Sequence, residues 1–455
     1  MKEKVIAVFD IGKTNKKILL FNSEMDVVYQ HATSFAETID EDGFHCEDIQ
    51  ALEQWMVRTI QSLLKDERYE IKALNFATYG ASLVFLDKNG KRLTPLYNYL
   101  KEIPATVADE LFNQYGGAVE FCRSTASPAL DGMLNAGVQI LWLKEYRKQV
   151  YEQVHSILHL PQYFSYLFTG KIVSELTSIG CHTFMWNFDD HRYHQWISDK
   201  NIPLPKPLAN SHTFTVSANN TPLKCGIGIH DSTASMVPFL AGSDEKFILI
   251  SSGTWCINMN PFNTSPLTVE QLKNDCLAYI STCGESVKSS RIFSGFIREI
   301  NNARLADYFS VDEDRFKTVS VNREYITRFL SSSEKMFFSN GIPDDYCDNS
   351  VDLSVFSGYE EAYHRLLYDL SLMNKEAIDR ILSPGDDIKN IYVTGGFAGN
   401  EIFIRLLATL YPDKRIFTAD IEHATSQGAA LVLKNLIQPS SNSCNYIKMK
   451  EWPEF

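Results

Sequence analysis

The sequence predicts an α/β protein built as two related halves on either side of a cleft. A strand, a turn with Gly beside Thr and a second strand occur in residues 5–21 and again in residues 247–257. A third segment, residues 391–400, is a short β-rich run that breaks into glycines before a helical pattern. Glycine lets backbone approach a ligand closely, and turn N–H groups beside a hydroxyl can hold an anion. One such turn in each half indicates a duplicated nucleotide-binding fold that holds a polyphosphate between its halves.

Length and charge limit the possible functions. A chain of 455 residues is too long for one compact core, so two domains are expected. A net charge of −13 argues against nucleic acid or an anionic membrane as the main partner. No apolar run approaches the roughly 20 residues of a membrane helix. The nine cysteines are scattered and form no C-x-x-C pair, which is typical of reduced thiols in a cytoplasmic protein.

The chain divides most naturally near residue 240, into residues 1–240 and 241–455. Periodic apolar positions predict amphipathic helices over residues 47–65 and 362–382, the second ended by a Ser-Pro-Gly stop. A helical region is expected from Leu134 to Leu160, where Pro161 interrupts it. The tail beyond Leu436 is polar and is expected to be peripheral.

The first turn, Asp10-Ile11-Gly12-Lys13-Thr14, can be compared with a Walker A motif. That motif needs Gly at the position of Ala7 and a helix directly after Lys-Thr, whereas here a second strand is expected. Asp10 at the strand end could also simply cap a hairpin, which is a common role for Asp. The matching second turn favours a phosphate site instead.

In order and spacing, the three segments resemble the FGGY carbohydrate kinases of the actin-like ATPase superfamily, over roughly residues 4–435. The resemblance implies two ribonuclease H-like domains, of the actin and hexokinase ATPase type, that flank a cleft and bind ATP with Mg²⁺. It implies that Asp10 holds the metal. The residues it assigns to ATP lie in the three segments and are Gly12, Lys13, Thr14, Asn15, Gly253, Thr254, Gly395, Gly396, Gly399 and Asn400.

Lys13 departs from the commonest family pattern, which has Thr or Ser directly after the Gly. Its ammonium group could reach a phosphate as a point charge, the interpretation favoured here. Alternatively, Lys13 points to solvent and Thr14 takes the role of the hydroxyl.

The catalytic base implied by the resemblance is Asp231, in the junction stretch Gly226–Ser235. Transfer of a phosphoryl group to a sugar hydroxyl requires a group that accepts the hydroxyl proton. Asp231 also precedes a helix-forming run, so it could be an N-cap, and both roles can hold at once. His230 beside it could tune the carboxylate, bind sugar or merely pack.

The resemblance is closest to the rhamnulokinase and L-fuculose kinase branch, on residues 78–90, 158–170 and 251–255. It implies a deoxy-ketohexose such as L-rhamnulose or L-fuculose as substrate, with a ketopentose as the alternative. Family members often bind sugar hydroxyls through an acidic residue, but the corresponding residues 96–101 contain no carboxylate. Candidate sugar contacts are therefore Tyr79, Gly80 and Asn98, together with His230 and Asp231.

These features predict an ATP-dependent ketose kinase whose partners are the sugar and ATP, with no nucleic acid or membrane. The resemblance also allows a homodimer. Two rival functions are a non-catalytic, actin-like ATP-binding scaffold and a sugar sensor that has lost activity. The scaffold could lack Asp231 and the sugar-domain segments, which are present. The unusual Lys13 and the missing acidic contact slightly favour the sensor.

Overall fold

Two seven-stranded mixed sheets organise the computed structural model, which describes residues 2–218, 221–331, 335–438 and 446–453. The strands in chain order are β1 (Glu3–Ile11), β2 (Lys16–Phe21), β3 (Val27–Thr33), β4 (Thr38–Ile39), β5 (His45–Cys46), β6 (Tyr69–Thr78), β7 (Leu83–Leu86), β8 (Ser156–His159), β9 (Ser174–Glu175), β10 (Trp186–Asn187), β11 (Arg192–Tyr193), β12 (Pro207–Leu208), β13 (Thr213–Ala218), β14 (Thr221–Gly226), β15 (Ile229–His230), β16 (Phe247–Ser252), β17 (Cys256–Asn260), β18 (Cys276–Ile280), β19 (Ser286–Ile292), β20 (Asn390–Gly395), β21 (Arg415–Asp420) and β22 (Lys448–Trp452).

The α-helices are α1 (Ile49–Leu63), α2 (Thr106–Gln114), α3 (Gly117–Ser124), α4 (Ala136–Tyr146), α5 (Lys148–Tyr151), α6 (Leu160–Thr169), α7 (Leu176–Ile179), α8 (Gln195–Asp199), α9 (Asp231–Gly242), α10 (Val269–Lys273), α11 (Ser294–Phe309), α12 (Arg323–Leu330), α13 (Tyr359–Asp379), α14 (Glu401–Leu410) and α15 (Ala424–Leu431). Four short 3₁₀ helices span Glu313–Thr318, Leu353–Val355, Gly396–Gly399 and Lys434–Leu436. None of the helices in these described ranges is long and apolar enough to cross a membrane.

The two sheets repeat one topology. In the first sheet β1 is antiparallel to β2 and β2 to β3, while β1 is parallel to β6, which is parallel to β14 and β15. In the second sheet β16 is antiparallel to β17 and β17 to β19, while β16 is parallel to β20 and β20 to β21. The hairpin β16–β17 is thus the counterpart of β1–β2. The predicted fold class, two related α/β domains that flank a cleft, is confirmed.

Helices α9 and α15 join the two halves. Helix α9 starts directly after β15 of the first sheet, and the predicted division at residues 240/241 falls near its C-terminal end. Helix α15 comes from the second half but packs against α9 and against β1 and β6 of the first sheet. The helices cross so closely that a Cβ atom on Gly428 would lie 1.8 Å from the carbonyl oxygen of Ala234.

The segment between β6 and β13 forms a largely helical subdomain with its own buried aromatic residues, among them Phe121, Trp142 and Trp196. It also contacts the second half, since the backbone N–H of Ala278 in β18 donates to Ala126 O at 3.0 Å. The subdomain therefore connects the two halves at a second place, apart from α9 and α15.

Two expectations are wrong. The helical region does not continue to Leu160, because β8 pairs with β7 and Pro161 lies in the first turn of α6. Proline is favoured there, since the first-turn N–H groups have no intrahelical partner. The described end of the tail is part of the second sheet and not peripheral, because β22 pairs with β21 and forms its edge strand. Residues 439–445 of the tail lie outside the described residues.

The crossing at Gly428 predicts a stability effect. In Gly428→Ala the added methyl group meets backbone rather than a flexible side chain, so the helices must move apart. We expect the free energy of unfolding to fall by about 1–3 kcal/mol, the usual range for overpacking. Urea denaturation measures this effect. Gly242→Ala is the matched control, because Gly242 also lies in a helix and a Cβ there meets only Tyr446 N, at 3.9 Å. Equal stability of the two variants would contradict the close crossing.

Candidate active site

A cavity of about 340 Å³ lies between the two sheets and takes its lining from both halves of the chain. We call it the cleft cavity. Its lining comprises Asp10, Lys17, Ser235, Phe239, Leu249, Ser251, Thr394, Gly395, Ile421, Glu422, His423, Ala424 and Thr425. These residues come from β1, β2, α9, β16, β20 and the loop and first turn that lead into α15. The duplicated hairpins and the two central helices therefore meet at one polar space.

Asp10 lies at the cleft end of β1, and its Oδ2 accepts a hydrogen bond from Ser426 Oγ of α15 at 2.6 Å. Burial and then the nearby Asp231 carboxylate raise the pKa of Asp10, while the Ser426 hydrogen bond, Lys17 and His423 act to lower it. Mg²⁺ is usually bound by one or two carboxylates together with substrate phosphates. A half-buried carboxylate in a cleft between two turn motifs fits that kind of site.

Lys17 was missed by the sequence analysis, although it lines the cleft cavity directly. It is the cross-strand partner of Asp10 in the β1–β2 hairpin. Strand register could have identified it, because a turn centred on residues 13–14 pairs position 10 with position 17. Lys17 places an ammonium group beside the carboxylate, where a polyphosphate needs positive charge.

The two Gly-Thr turns are closed by backbone hydrogen bonds. Gly12 N donates to Asn15 O at 2.9 Å, and Gly253 N donates to Trp255 O at 2.8 Å. Thr14, Asn15, Gly253 and Thr254 are all exposed, so their polar groups remain accessible. The predicted pair of turns is present, one at the tip of each hairpin.

The glycine-rich segment after β20 is fitted tightly to the second turn. Gly395 has φ +80°, and a Cβ there would lie 1.8 Å from Ser252 O, so only glycine suits this position. Ser252 Oγ accepts from Phe397 N at 3.0 Å. Gly396, Gly399 and Asn400 line a second cavity of about 530 Å³ together with Arg298 and Lys317, among others.

Both ends of the Asn400 side-chain amide form hydrogen bonds within the protein. Its Oδ1 accepts from Phe403 N at 3.1 Å and caps α14, and its Nδ2 donates to Tyr363 Oη at 3.1 Å.

Lys13 also has protein partners: its Nζ lies 3.4 Å from Glu37 Oε1 and 3.8 Å from Glu47 Oε1. These carboxylates direct the ammonium group away from the cleft cavity. A phosphate contact by Lys13 stays a prediction that this geometry does not support.

Asp231 is the first residue of α9, and His230 occupies the N-cap position. Asp231 Oδ1 accepts from Ser232 N at 2.6 Å and from Ser232 Oγ at 3.2 Å. Burial raises the pKa of Asp231 from 3.8 to about 6, against the opposing effect of the Ser232 hydrogen bonds. Its side chain is still 32% exposed, so a ligand can reach it. A carboxylate with a pKa near 6 is suited to proton transfer at neutral pH.

His230 is buried beside this carboxylate. Its Nε2 lies 3.2 Å from Asp231 Oδ1 and 3.0 Å from Cys181 Sγ. Burial lowers the pKa of His230 to about 4, so the imidazole is neutral at pH 7. Gly80 packs closely against this ring, since a Cβ on it would lie 3.0 Å from His230 Nε2.

Two other sugar-contact candidates differ in what the structure leaves available. Tyr79 is nearly buried and packs edge-on against Tyr99, with ring centroids 6.0 Å apart. Asn98 instead uses its amide for the backbone, donating to His45 O at 3.0 Å and accepting from Leu100 N at 3.1 Å. A sugar contact by Asn98 stays a prediction, and these two hydrogen bonds do not favour it.

Together, the duplicated sheets, the shared cavity and the paired turns define an actin-like α/β fold with a polar cleft between its halves. Residues 5–221 match the N-terminal domain of the FGGY family of carbohydrate kinases. The first half of the chain therefore carries an FGGY-family N-terminal domain, and the chain as a whole is similar to carbohydrate kinases of that family.

Similar proteins share most of the chain at low identity. A rhamnulokinase from Oceanobacillus iheyensis is 23% identical over 93% of this chain and 91% of its own length. An L-fuculokinase from Escherichia coli K12 is 23% identical over 57% of each chain. Among solved structures, a carbohydrate kinase from Novosphingobium aromaticivorans has a TM-score of 0.76 at 22% identity, covering 98% of this chain and 96% of its own. A xylulose kinase from Rhodospirillum rubrum has a TM-score of 0.80 at 13% identity, covering 99% and 94%.

The raised pKa of Asp231 predicts a pH-dependent stability difference. Folding favours the protonated acid, so between pH 3.8 and about 6 the wild type loses stability as pH rises. Asp231→Asn has no charge to bury, so we expect it to unfold about 1–3 °C higher than the wild type at pH 8. The difference should vanish near pH 4. Thermal unfolding at both pH values measures it, and a lower or pH-independent transition temperature would contradict the assignment.

Proposed function

We propose that this chain transfers the γ-phosphoryl group of ATP to a hydroxyl group of a ketose, with Asp231 as the general base. The observation that carries the proposal is the position of Asp231. It starts the helix that lines the cleft cavity through Ser235 and Phe239, and its pKa is raised to about 6. A base must be ionised and near the attacking hydroxyl, and such a carboxylate meets the first requirement at pH 7.

The other residues of the cleft would position the nucleotide. The turns at Gly12–Asn15 and Gly253–Thr254 would offer backbone N–H and hydroxyl groups to the phosphates, and Gly395, Gly396 and Gly399 would let the nucleoside lie against backbone. Lys17 would add positive charge. Asp10 would hold Mg²⁺, which when bound neutralises the phosphate oxygens. Asp231 would then take the proton of the sugar hydroxyl as that oxygen attacks the phosphorus atom.

The substrate proposed first is a deoxy-ketohexose such as L-rhamnulose or L-fuculose. Sequence relatives described as rhamnulokinase and L-fuculokinase support it, together with the matching stretches in residues 78–90 and 158–170. A ketopentose is the second candidate, because solved structures described as xylulose kinases share the fold. A cytoplasmic site of action is supported by the eight cysteines within the described residues, all of which are free thiols.

A coupled assay of ADP release tests the proposal against a sugar sensor. With Mg-ATP and a panel of L-rhamnulose, L-fuculose, D-xylulose, L-xylulose, L-ribulose and glycerol, we expect strong turnover on one ketose. Asp231→Asn should lower kcat by about 10²–10⁴-fold, the usual contribution of a general base, and leave ATP affinity nearly unchanged. Asp387→Asn, which changes an exposed carboxylate paired with Lys246, is the matched control. ATP binding without turnover on any sugar would favour the sensor.

The pH dependence provides an independent check. Because the base must be deprotonated, kcat/KM for the sugar should be constant above the pKa and fall about tenfold per pH unit below about 6. His230, whose pKa is about 4, should remain neutral over this range and add no inflection. A pH–rate profile from pH 4.5 to 8.5 measures the inflection. A profile that stays flat down to pH 4.5, as an acid with the ordinary Asp pKa of 3.8 would give, would contradict the role of Asp231.

A further inference from the structure

Four charged residues form a compact group beside the first turn, and we call them the charged wall: Lys13, Lys16, Glu37 and Glu47. Lys16 Nζ lies 3.0 Å from Glu47 Oε1, and the two side chains are only 5% and 8% exposed. Lys16 Nζ also donates to Lys13 O at 2.8 Å, which holds the turn against the pair. Lys13 Nζ then lies between Glu47 and Glu37, at 3.8 and 3.4 Å. The wall is therefore an ordered network rather than a set of loose surface charges.

A continuous line of contacts leads from the charged wall to Asp231. Lys13 Nζ lies 5.9 Å from the centre of the Tyr99 ring, and that ring packs against Tyr79 at 6.0 Å. Tyr79 is followed by Gly80, which abuts His230, and His230 contacts Asp231. Burial raises the pKa of Tyr99 most, and the carboxylates of Asp231 and Glu47 raise it further, so both carboxylates lie near this ring.

A cavity of about 320 Å³ borders the charged wall. It is lined by all four wall residues together with Thr14, Ser34, Phe35, Ala36 and Asp48. Its volume falls in the usual range of small-molecule sites, about 300–1,000 Å³. The cavity contains ammonium donors, carboxylate acceptors and one aromatic face. This combination is suited to a polyhydroxylated molecule, whose hydroxyl groups both donate and accept.

We propose that the charged wall binds the end of the sugar that is remote from the phosphorylated hydroxyl, with Lys13 as donor and Glu47 as acceptor. The inference rests on the proposed function and extends it to the class of substrate. Glu47 supplies the carboxylate that residues 96–101 lack, from a different place in the chain. Lys13, the residue that departs from the family pattern, thus acts on the sugar and not on the nucleotide.

The charge of this cavity selects among sugars. The cavity lining contains two ammonium groups and three carboxylates, since Asp48 lines it together with the four wall residues. Asp48 Oδ1 also caps α1 by accepting from Ala51 N at 2.9 Å. The negative balance disfavours an anionic ligand. We therefore expect the cavity to favour an uncharged polyhydroxy compound such as a ketose over a sugar acid such as gluconate.

Calorimetric titration of the intact chain tests the inference. The titrants are the ketose that binds wild-type protein most tightly, gluconate and ATP with Mg²⁺. Lys13→Met removes the ammonium group and keeps an unbranched side chain. We expect it to weaken ketose binding about 10- to 100-fold, the usual effect of losing a hydrogen bond to a charged group, and to change the ATP Kd less than twofold. Lys72→Met is the matched control, since Lys72 pairs with Glu70 on the surface.

Glu47→Gln is the second variant and should weaken ketose binding as well. It leaves Lys16 buried without its carboxylate, so it can fail to fold, and in that event Lys13→Met decides the question. Weaker ATP binding with unchanged ketose binding in Lys13→Met would assign Lys13 to the phosphates and overturn the inference. Unchanged binding of both ligands would overturn it too, as would gluconate binding as tight as ketose binding. A wild type that binds ATP but no ketose would instead refute the proposed function, and the inference would fall with it.

Discussion

The close packing of α9 on α15 is the constraint on which the site depends. Helix α9 begins at Asp231 and lines the cleft cavity through Ser235 and Phe239. Helix α15 follows His423 of the cavity wall and carries Ser426, which holds the Asp10 carboxylate. Because Gly428 brings the two backbones into contact, the positions of both carboxylates are set by one helix crossing. A change in that crossing would move Asp231 and Asp10, the proposed base and the proposed metal ligand, together.

The site also concentrates negative charge that the fold does not neutralise. Asp10 and Asp231 lie near enough for the second to raise the pKa of the first, and burial raises both. Lys17 is the positive group beside Asp10, whereas burial lowers the pKa of His423 and so favours its neutral imidazole. A cleft of this kind is less stable than an apolar one, and it gains most from a ligand that brings its own cation. Under the proposed function, binding of a metal–nucleotide complex would therefore stabilise the cleft.

Sequence predicted the parts of the site that consist of local backbone. The Gly-Thr turns, the glycines after β20 and the acid that opens α9 were recognisable because glycine and Asp have strong positional preferences. Contacts between distant segments were not recognisable. The sequence does not indicate that Glu47 lies near Lys13, or that the Asn98 amide donates to His45 O. The prediction that Pro161 interrupts a helix was wrong for the same reason. A proline can start a helix or end one, and the two cases can be told apart only when the preceding segment is known to be a strand.

The contact between the subdomain and β18 limits how the cleft can open. A Cβ on Gly180 would lie 2.4 Å from Ile280 Cγ1, and Thr233 Oγ1 of α9 donates to Ile280 O at 3.2 Å. Strand β18 therefore touches both the helical subdomain and helix α9, which begins at Asp231. Any separation of the two halves would have to leave these contacts and the α9–α15 crossing in place, because breaking them would displace Asp231. The hairpin tips at residues 12–15 and 253–255 lie outside these contacts. Under the proposed function, the tips would be free to separate and admit a nucleotide while Asp231 keeps its position.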